Sequence, residues 1–266
     1  MPPPMADTES DAAGEGAAGR LLFLLADAPF FVSHRLSIAL AAKAAGFEVH
    51  VAVPFAAEPV RRMHECGLVH HDIPLRRGAR SLHGELRLIA AFARLLRRLR
   101  PTMVHAVSLK PVIYGGLMAR VMGVPAAVLA VTGLGYVFLR EGTSAALTRA
   151  LVKRLYRFAL AHRNSRAVFQ NPDDRALFVD GGLVAARRVV LTRGCGVDTA
   201  EFAPATESEG TPTVVFPARI LGDKGAHEFA AAARCLREDG VAGRSVMVGR
   251  TDPDNPSGVG EPSSHR

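Results

Sequence analysis

The sequence predicts an α/β protein with a doubly wound, mostly parallel, Rossmann-like sheet and a partial second Rossmann-like domain. Short apolar runs alternate with helical segments along most of the 266 residues, and this alternation favours strand–helix–strand units. Runs such as LLFLLA at 21–26 are apolar at every position, which is typical of parallel strands buried on both faces. After a polar segment at 202–212 the alternation starts again.

The predicted elements follow in order along the first domain. A strand at 21–26 precedes a helix that we expect Ser33 to cap and Gly46 to end. A strand at 48–53 comes next. The later predicted strands occupy residues 69–75, 102–108, 126–132, 166–171 and 188–194, and the later helices occupy residues 81–99, 111–123, 144–163 and 171–182. Ligands of such sheets bind beyond the carboxyl ends of the strands, so residues just after each strand are the candidates for function.

The chain divides into domains by composition. We expect a disordered arm at 1–19, a first domain at 20–201, a linker at 202–212, a partial second domain at 213–250 and a disordered tail at 251–266. The partial domain holds one strand–helix–strand unit, which cannot cover both faces of its own sheet and should be marginally stable.

Composition limits the functional classes. Hydrophobic residues make up 48% of the chain, enough for a sizeable core, and the net charge of +8 favours acidic partners such as phosphates, nucleotides or anionic lipid. Basic residues are not interleaved with aromatic ones, which argues against nucleic acid. The three cysteines have no metal-binding spacing, and a reducing cytoplasm fits them best.

One uncharged run, at 121–139, is long enough to cross a membrane. Gly123, Pro125, Gly133 and Gly135 interrupt it. A buried strand followed by a glycine loop is therefore the favoured interpretation, with a membrane span as the alternative.

Two cations flank a tight turn of the second domain. Arg219 follows the strand TVVFPA, and Lys224 precedes a helix that begins near Gly225. A helix amino terminus offers free N–H donors, and with two cations it suits a diphosphate. The alternative is a solvated turn in which Arg219 pairs with Asp223 or Glu228.

Five segments in order resemble one family. They are FFVSHRLSIALAAKAAGFEVHVAVP, VHAVSLKPVIYGGLMARVMGVPAAVLAVTGLGYVF, VFQNPDD, GCGVDTAEF and PARILGDKGAHEF. The chain resembles the family 4 retaining glycosyltransferases of the two-domain GT-B type, and among them bacterial enzymes that extend lipid-linked oligosaccharides.

The resemblance implies roles for particular residues. The first domain would hold a lipid-linked saccharide acceptor, with Gly133 and Gly135 in a loop at the cleft. Ser33, His34 and Lys110 would lie on the acceptor side. The second domain would bind a nucleotide sugar.

The resemblance also implies catalytic roles. Arg219, Lys224 and Gly225 would hold the donor diphosphate, without a cofactor or required metal. His105 stands at the first of two histidine positions near the fourth strand in relatives, which makes it the catalytic candidate. Val107 occupies the second position, the one usually linked to catalysis.

The sequence departs from the family pattern after Lys224. Relatives carry two glutamates eight residues apart that contact the donor, and no such pair follows here. We therefore expect a truncated donor domain with impaired activity. A non-catalytic acceptor- or partner-binding fragment and a nucleotide-sugar epimerase remain alternatives. Two basic helices, at 81–99 and 144–163, suggest peripheral contact with an anionic inner membrane face, with a solvated face on a packed helix as the alternative.

Overall fold

The computed structural model describes residues 18–75, 81–133, 143–206, 209–251 and 257–259. The chain forms two compact units, one reaching Gly196 and the other beginning at Val197. The predicted arm through residue 17 and most of the predicted tail lie outside the described residues, although 18, 19, 251 and 257–259 are described.

Parallel strands and helices alternate through the first unit. The strands are β1 (Arg20–Leu24), β2 (Glu48–Val53), β3 (Val69–Asp72), β4 (Met103–Val107), β5 (Ala126–Val131), β6 (Ser165–Phe169) and β7 (Val189–Leu191). The helices are α1 (Ala28–His34), α2 (Leu36–Ala44), α3 (Ala57–Glu65), α4 (Leu82–Leu99), α5 (Gly116–Val121), α6 (Thr143–Leu160) and α7 (Pro172–Asp180), with a π-helical turn at Pro111–Gly115 and a 3₁₀ turn at Ala186–Arg188.

The seven strands form one sheet in the order β3-β2-β1-β4-β5-β6-β7. All six neighbouring pairs are parallel; Phe23 of β1, for example, pairs with Val51 of β2 and with His105 of β4. The strand order reverses between β1 and β4. In doubly wound sheets this switch point opens a crevice beyond the carboxyl ends of the strands.

Alternate residues of each strand enter two separate cores. On β1, Leu22 and Leu24 pack into the core formed with α4, α5, α6 and α7. Leu21 and Phe23 face the other way, into the core formed with α1, α2 and α3. The sheet is therefore covered by helices on both faces, which confirms the predicted doubly wound α/β class and explains the continuously apolar strands.

Two glycines let the segment after β4 pack closely on its neighbours. A Cβ at Gly115 would lie 2.5 Å from Cδ1 of Leu24, and one at Gly116 would lie 3.1 Å from Cβ of Ala159 on α6. These contacts bring the π-helical turn against the end of β1. Single-turn π-helical segments often occur at functional sites.

The first strand–helix turn differs from the sequence prediction. Asp27, not Ser33, is the N-cap: its Oδ1 accepts a hydrogen bond from Phe30 N over 2.7 Å. The helix α1 therefore begins six residues earlier, counting from 34 back to 28, and Ser33 lies inside its last turn. Pro29 in the first turn stabilises this early start because its ring already has a helical φ. Gly46, with a φ of 88°, follows α2 as expected.

The second unit is one strand–helix–strand element. Strand β8 (Thr213–Pro217) pairs in parallel with β9 (Arg244–Val248), and α8 (Ala226–Glu238) connects them. Residue 258 bridges Leu221, and Ser257 O accepts a hydrogen bond from Gly222 N over 2.8 Å. Val214 and Val248 remain about half exposed, at 50% and 56%, so this small sheet leaves apolar surface uncovered.

The buried hydroxyl of Tyr156 provides a test of the larger core. Tyr156 is fully buried, and its hydroxyl has no hydrogen-bond partner among the described residues. We expect Tyr156→Phe to keep the edge-to-face contact with Phe178 and to leave stability unchanged or raise it by up to about 1 kcal/mol. Denaturant unfolding would measure this. Phe92→Ala, expected to cost about 3–5 kcal/mol, is the control for sensitivity. A clear loss of stability in Tyr156→Phe would show that the hydroxyl is hydrogen-bonded, contrary to the structure.

Candidate active site

The carboxyl ends of β1 and β4 bring several polar side chains to the switch point. Asp27 follows β1, whereas Ser108 and Lys110 follow β4. Ser108 has a φ of 78°, a left-handed conformation that costs free energy in most residues other than glycine and is enriched at functional sites. The chain therefore bends sharply at the end of β4, directly before the π-helical turn.

Ser33 and His34 form a pair at the end of α1. Ser33 Oγ donates to Pro29 O over 2.9 Å and lies 2.6 Å from His34 Nδ1, while the His34 ring stacks on Phe30 at 4.3 Å. When the hydroxyl proton points to Pro29 O, the Nδ1–H of His34 donates to Ser33 Oγ. A neutral His34 then carries its lone pair on Nε2, where it can accept a hydrogen bond from a substrate hydroxyl.

His105 lies on β4 with its ring stacked on Phe23 at a centroid distance of 5.0 Å. Its Nε2 is buried and has no hydrogen-bond partner among the described residues. Burial, and next the positive charge of Arg35, lower the pKa of His105 to about 4. The ring is therefore neutral at physiological pH and can act as a hydrogen-bonding group, but not as a resident cation.

Lys110 belongs to a cluster that the sequence did not reveal. Its Nζ lies 2.6 Å from Oε1 of Glu85 on α4, with both side chains about four-fifths buried. Burial, and next Glu85, raise the pKa of Tyr114 on the π-helical turn to about 12. The cluster joins α4 to the turn after β4, so Glu85 holds Lys110 in place at the carboxyl edge of the sheet.

Arg35 was also missed. Ser33 and His34 were the predicted polar residues of the first turn, yet Arg35 is the one of the three that is buried, at 5% exposure. A charged residue between two largely apolar helical segments was the only available signal.

Of the two loop glycines predicted at the cleft, Gly133 is exposed and a Cβ there would meet nothing within 4 Å. Gly135 lies outside the described residues.

The basic turn of the second unit has the predicted local form. A 3₁₀ turn spans Gly222–Lys224, and Gly225, with a φ of 86°, is the N-cap of α8. Arg219 and Lys224 are both exposed. Asp223, one of the acids considered as a partner of Arg219, bonds to the hydroxyl of Ser257. Lys224 lies in this turn and Arg219 three residues before it, and the turn leads into a thirteen-residue helix with free N–H groups at its amino end.

Within the described parts of the chain, no helix is long and apolar enough to cross a membrane. The uncharged run at 121–139 contains β5, a buried strand of six residues, and its last six residues, 134–139, lie outside the described ranges. The described side chains contain no group of three histidine, cysteine, aspartate or glutamate residues placed to hold a metal ion.

Fold and sequence comparisons define the class of protein. A doubly wound sheet with a second strand–helix–strand unit is found in GT-B glycosyltransferases. The model of the family "Glycosyl transferase 4-like" matches residues 20–170, more than half of the chain. The chain therefore belongs to that family, and the predicted family 4, GT-B assignment is confirmed.

One curated relative is an enzyme of Campylobacter jejuni, N,N'-diacetylbacillosaminyl-diphospho-undecaprenol alpha-1,3-N-acetylgalactosaminyltransferase. The chain is 26% identical to it over 238 residues, which are 84% of this chain and 61% of that enzyme. The chain thus spans less than two thirds of the length of this relative.

Solved structures share the fold. A glycosyltransferase from Rickettsia africae superposes with a TM-score of 0.60 at 16% identity, covering 86% of this chain and 60% of the other. Sucrose-phosphate synthase from Thermosynechococcus elongatus gives a TM-score of 0.61 at 14% identity, with coverage of 90% and 64%. Anabaena HepE in complex with UDP-glucose gives 0.55 at 12% identity, with coverage of 89% and 70%.

The low pKa of His105 predicts a pH dependence of stability. The folded state stays neutral at this ring down to about pH 4, whereas the unfolded state takes up a proton near pH 6.5. Stability is therefore full above pH 6.5 and falls as the pH drops towards 4. We expect His105→Gln to reduce this fall by about 1–3 kcal/mol, measured by denaturant unfolding between pH 7.5 and 4.5.

Burial, and next His50, lower the pKa of His71 to about 4. His71 should therefore leave some dependence of stability on pH in the same range when His105 is replaced. His83→Gln, at an exposed position, is the matched control. An unchanged slope in His105→Gln would contradict the burial of its neutral ring.

Proposed function

We propose that this chain is the acceptor-binding and diphosphate-binding part of a glycosyltransferase that transfers a sugar from UDP to a lipid-linked saccharide with retention of anomeric configuration. Family membership supports the reaction class. The observation that carries the proposal is the basic turn of Arg219 and Lys224 at the amino end of α8. A lipid-linked acceptor is favoured because the Campylobacter relative is named for a diphospho-undecaprenol substrate.

The turn suits a diphosphate leaving group. In the reaction, the bond between the anomeric carbon and the diphosphate oxygen breaks, and a bond from the acceptor hydroxyl oxygen to that carbon forms. The acceptor proton leaves with the departing phosphate. Negative charge grows on the diphosphate as the bond breaks, and the Arg219 guanidinium, the Lys224 ammonium and the N–H groups of α8 would stabilise it.

The acceptor side is assigned to the first unit. His34 Nε2 can accept from a saccharide hydroxyl, and Lys110, held by Glu85, can donate. His105 is neutral, so its role is to orient substrate or neighbouring groups, and not to supply positive charge. The proposed reaction would place these groups around the hydroxyl that becomes glycosylated.

Binding of UDP tests the donor assignment. We expect Arg219→Ala and Lys224→Ala each to weaken UDP binding about tenfold to a hundredfold, because each removes a charge-assisted contact. Isothermal titration calorimetry would measure the dissociation constants. Arg237→Ala, in the last turn of the same helix, is the matched control and should bind as the unmodified chain does. Equal affinity in all four proteins would overturn the diphosphate assignment.

Product analysis separates the proposed reaction from its alternatives. The chain is incubated with labelled UDP-N-acetylhexosamine, with and without a lipid-diphosphate-linked saccharide. Label in the lipid fraction supports the transferase. An epimerised sugar nucleotide formed without acceptor would instead support an epimerase, a class that shares this fold at a TM-score of 0.58 and 11% identity. Binding without any turnover would support a binding fragment.

The helices α4 and α6 supply a surface for a membrane-embedded acceptor. Both pack on the same face of the sheet and, as crossover helices, begin at its carboxyl edge. Near these starts the leucines are exposed, Leu82 at 76% and Leu147 at 76%. Exposed arginines follow on α4, at positions 87, 94, 97 and 98. Helices that carry exposed leucines at one end and a row of exposed arginines along their length fit the interface of an anionic membrane at the cytoplasmic face.

Vesicle sedimentation tests this surface. We expect the chain to bind vesicles that contain phosphatidylglycerol more strongly than vesicles of phosphatidylcholine alone, and Arg87→Glu/Arg94→Glu to lose most of the difference, since each basic residue contributes about 1 kcal/mol. Arg163→Glu reverses an exposed charge just after the carboxyl end of α6, and this variant should bind both vesicle types as the unmodified chain does. Equal binding to both vesicle types would exclude electrostatic docking.

A further inference from the structure

Arg35 is a buried cation without a matching anion. It joins α1 to α2 and is 5% exposed. Its Nε has no acceptor among the described residues, and its Nη1 reaches only the carbonyl of His34, at 3.4 Å. The ion pairs found in the described chain do not include Arg35.

The titratable groups that interact with Arg35 do not neutralise it. The guanidinium is close enough to His105 to lower the pKa of that ring, and Cys195, in the loop after β7, is the other titratable group that acts on Arg35. His105 also has a buried nitrogen, Nε2, without a partner. Two buried nitrogens without a hydrogen-bond partner among the described residues, one between α1 and α2 and one on β4, therefore interact electrostatically in the first unit.

Such an arrangement is costly unless a ligand completes it. Buried charges in proteins are normally paired with an opposite charge, and buried polar atoms normally have hydrogen bonds. A purely structural arginine would bond to carbonyl groups or a carboxylate, and the described part of the chain offers Arg35 only one long contact. The guanidinium edge that carries Nε matches two oxygens of one phosphate.

We propose that Arg35 and His105 form a second oxyanion subsite, which binds a phosphate of a diphosphate ester in the first unit. The proposal rests on the proposed function, in which both substrates are diphosphate esters. The occupant is the lipid diphosphate of the acceptor, because Arg35 directly follows His34 and both, with His105, belong to the unit assigned to the acceptor. The diphosphate of the donor has the same chemistry and is the competing source.

Calorimetric titrations in the Arg219→Ala/Lys224→Ala background test the subsite separately from the donor turn. The probes are inorganic pyrophosphate, geranyl diphosphate and UDP. We expect pyrophosphate and geranyl diphosphate still to bind in this background, and Arg35→Met to weaken both at least tenfold. Arg163→Gln, an exposed arginine in the same unit, is the matched control and should change neither.

Thermal unfolding provides the readout that a structural role would not produce. Without ligand, Arg35→Met should unfold at the same temperature as the unmodified chain or higher, because an uncompensated buried charge is replaced by an apolar side chain of similar length. With pyrophosphate, the unmodified chain should gain stability and Arg35→Met should not. Arg35→Lys keeps the charge but loses the two-oxygen geometry, and should fold normally with weaker binding.

The outcomes separate this inference from the proposed function. Diphosphate binding that survives Arg35→Met, or a lower unfolding temperature in that variant with unchanged binding, overturns the subsite and leaves the donor turn intact. If Arg35→Met lost binding of UDP but kept binding of geranyl diphosphate, the acceptor assignment would be overturned, since the donor would then be the occupant. If pyrophosphate and geranyl diphosphate binding depends on Arg35 while UDP binding is unchanged by Arg219→Ala/Lys224→Ala, the subsite is supported and the donor assignment is removed.

Discussion

The parallel alignment of seven strands is the constraint on which the site depends. Because every strand of the first unit runs in the same direction, every strand ends at the same edge, and the residues that follow β1 and β4 meet there. The two cores hold this edge in place. Each buries alternate residues of the same strands, so the polar groups at the strand ends are supported by rigid elements and not by loops alone.

Most of the fold could be predicted because local patterns report it directly. Continuous apolar runs identified the strands, and Asn171, whose Oδ1 accepts from Asp174 N, caps α7 as the motif NPDD suggests. The start of α1 was predicted wrongly because two N-cap residues compete in one segment. Ser33 looked like the cap, but Asp27 precedes a proline that fixes the first turn.

The site was less accessible to sequence reasoning because its members come together only through packing. Glu85 reaches Lys110 across 25 residues of sequence, and a glutamate in the first turn of a helix ordinarily indicates only a favourable dipole. For Arg35, the only signal is a charged residue between two largely apolar helical segments, and this does not distinguish a buried side chain from an exposed one. Arg219 and Lys224 could be identified because they lie between a predicted strand and a predicted helix, and their roles stay predictions. Arg35 could not be identified, because its burial depends on packing that the sequence does not show.

The two cationic sites would act in different electrostatic regimes. Arg219 and Lys224 are exposed, so salt screens their attraction for phosphate and their main contribution is at short range. Arg35 is buried, so its attraction for a bound anion would be screened much less.

The most direct test of the central claim is hydrogen–deuterium exchange of the intact chain with and without pyrophosphate. The account predicts slower exchange in segments 27–35, 105–110 and 219–226; protection confined to other segments, or none at saturating ligand, would contradict it.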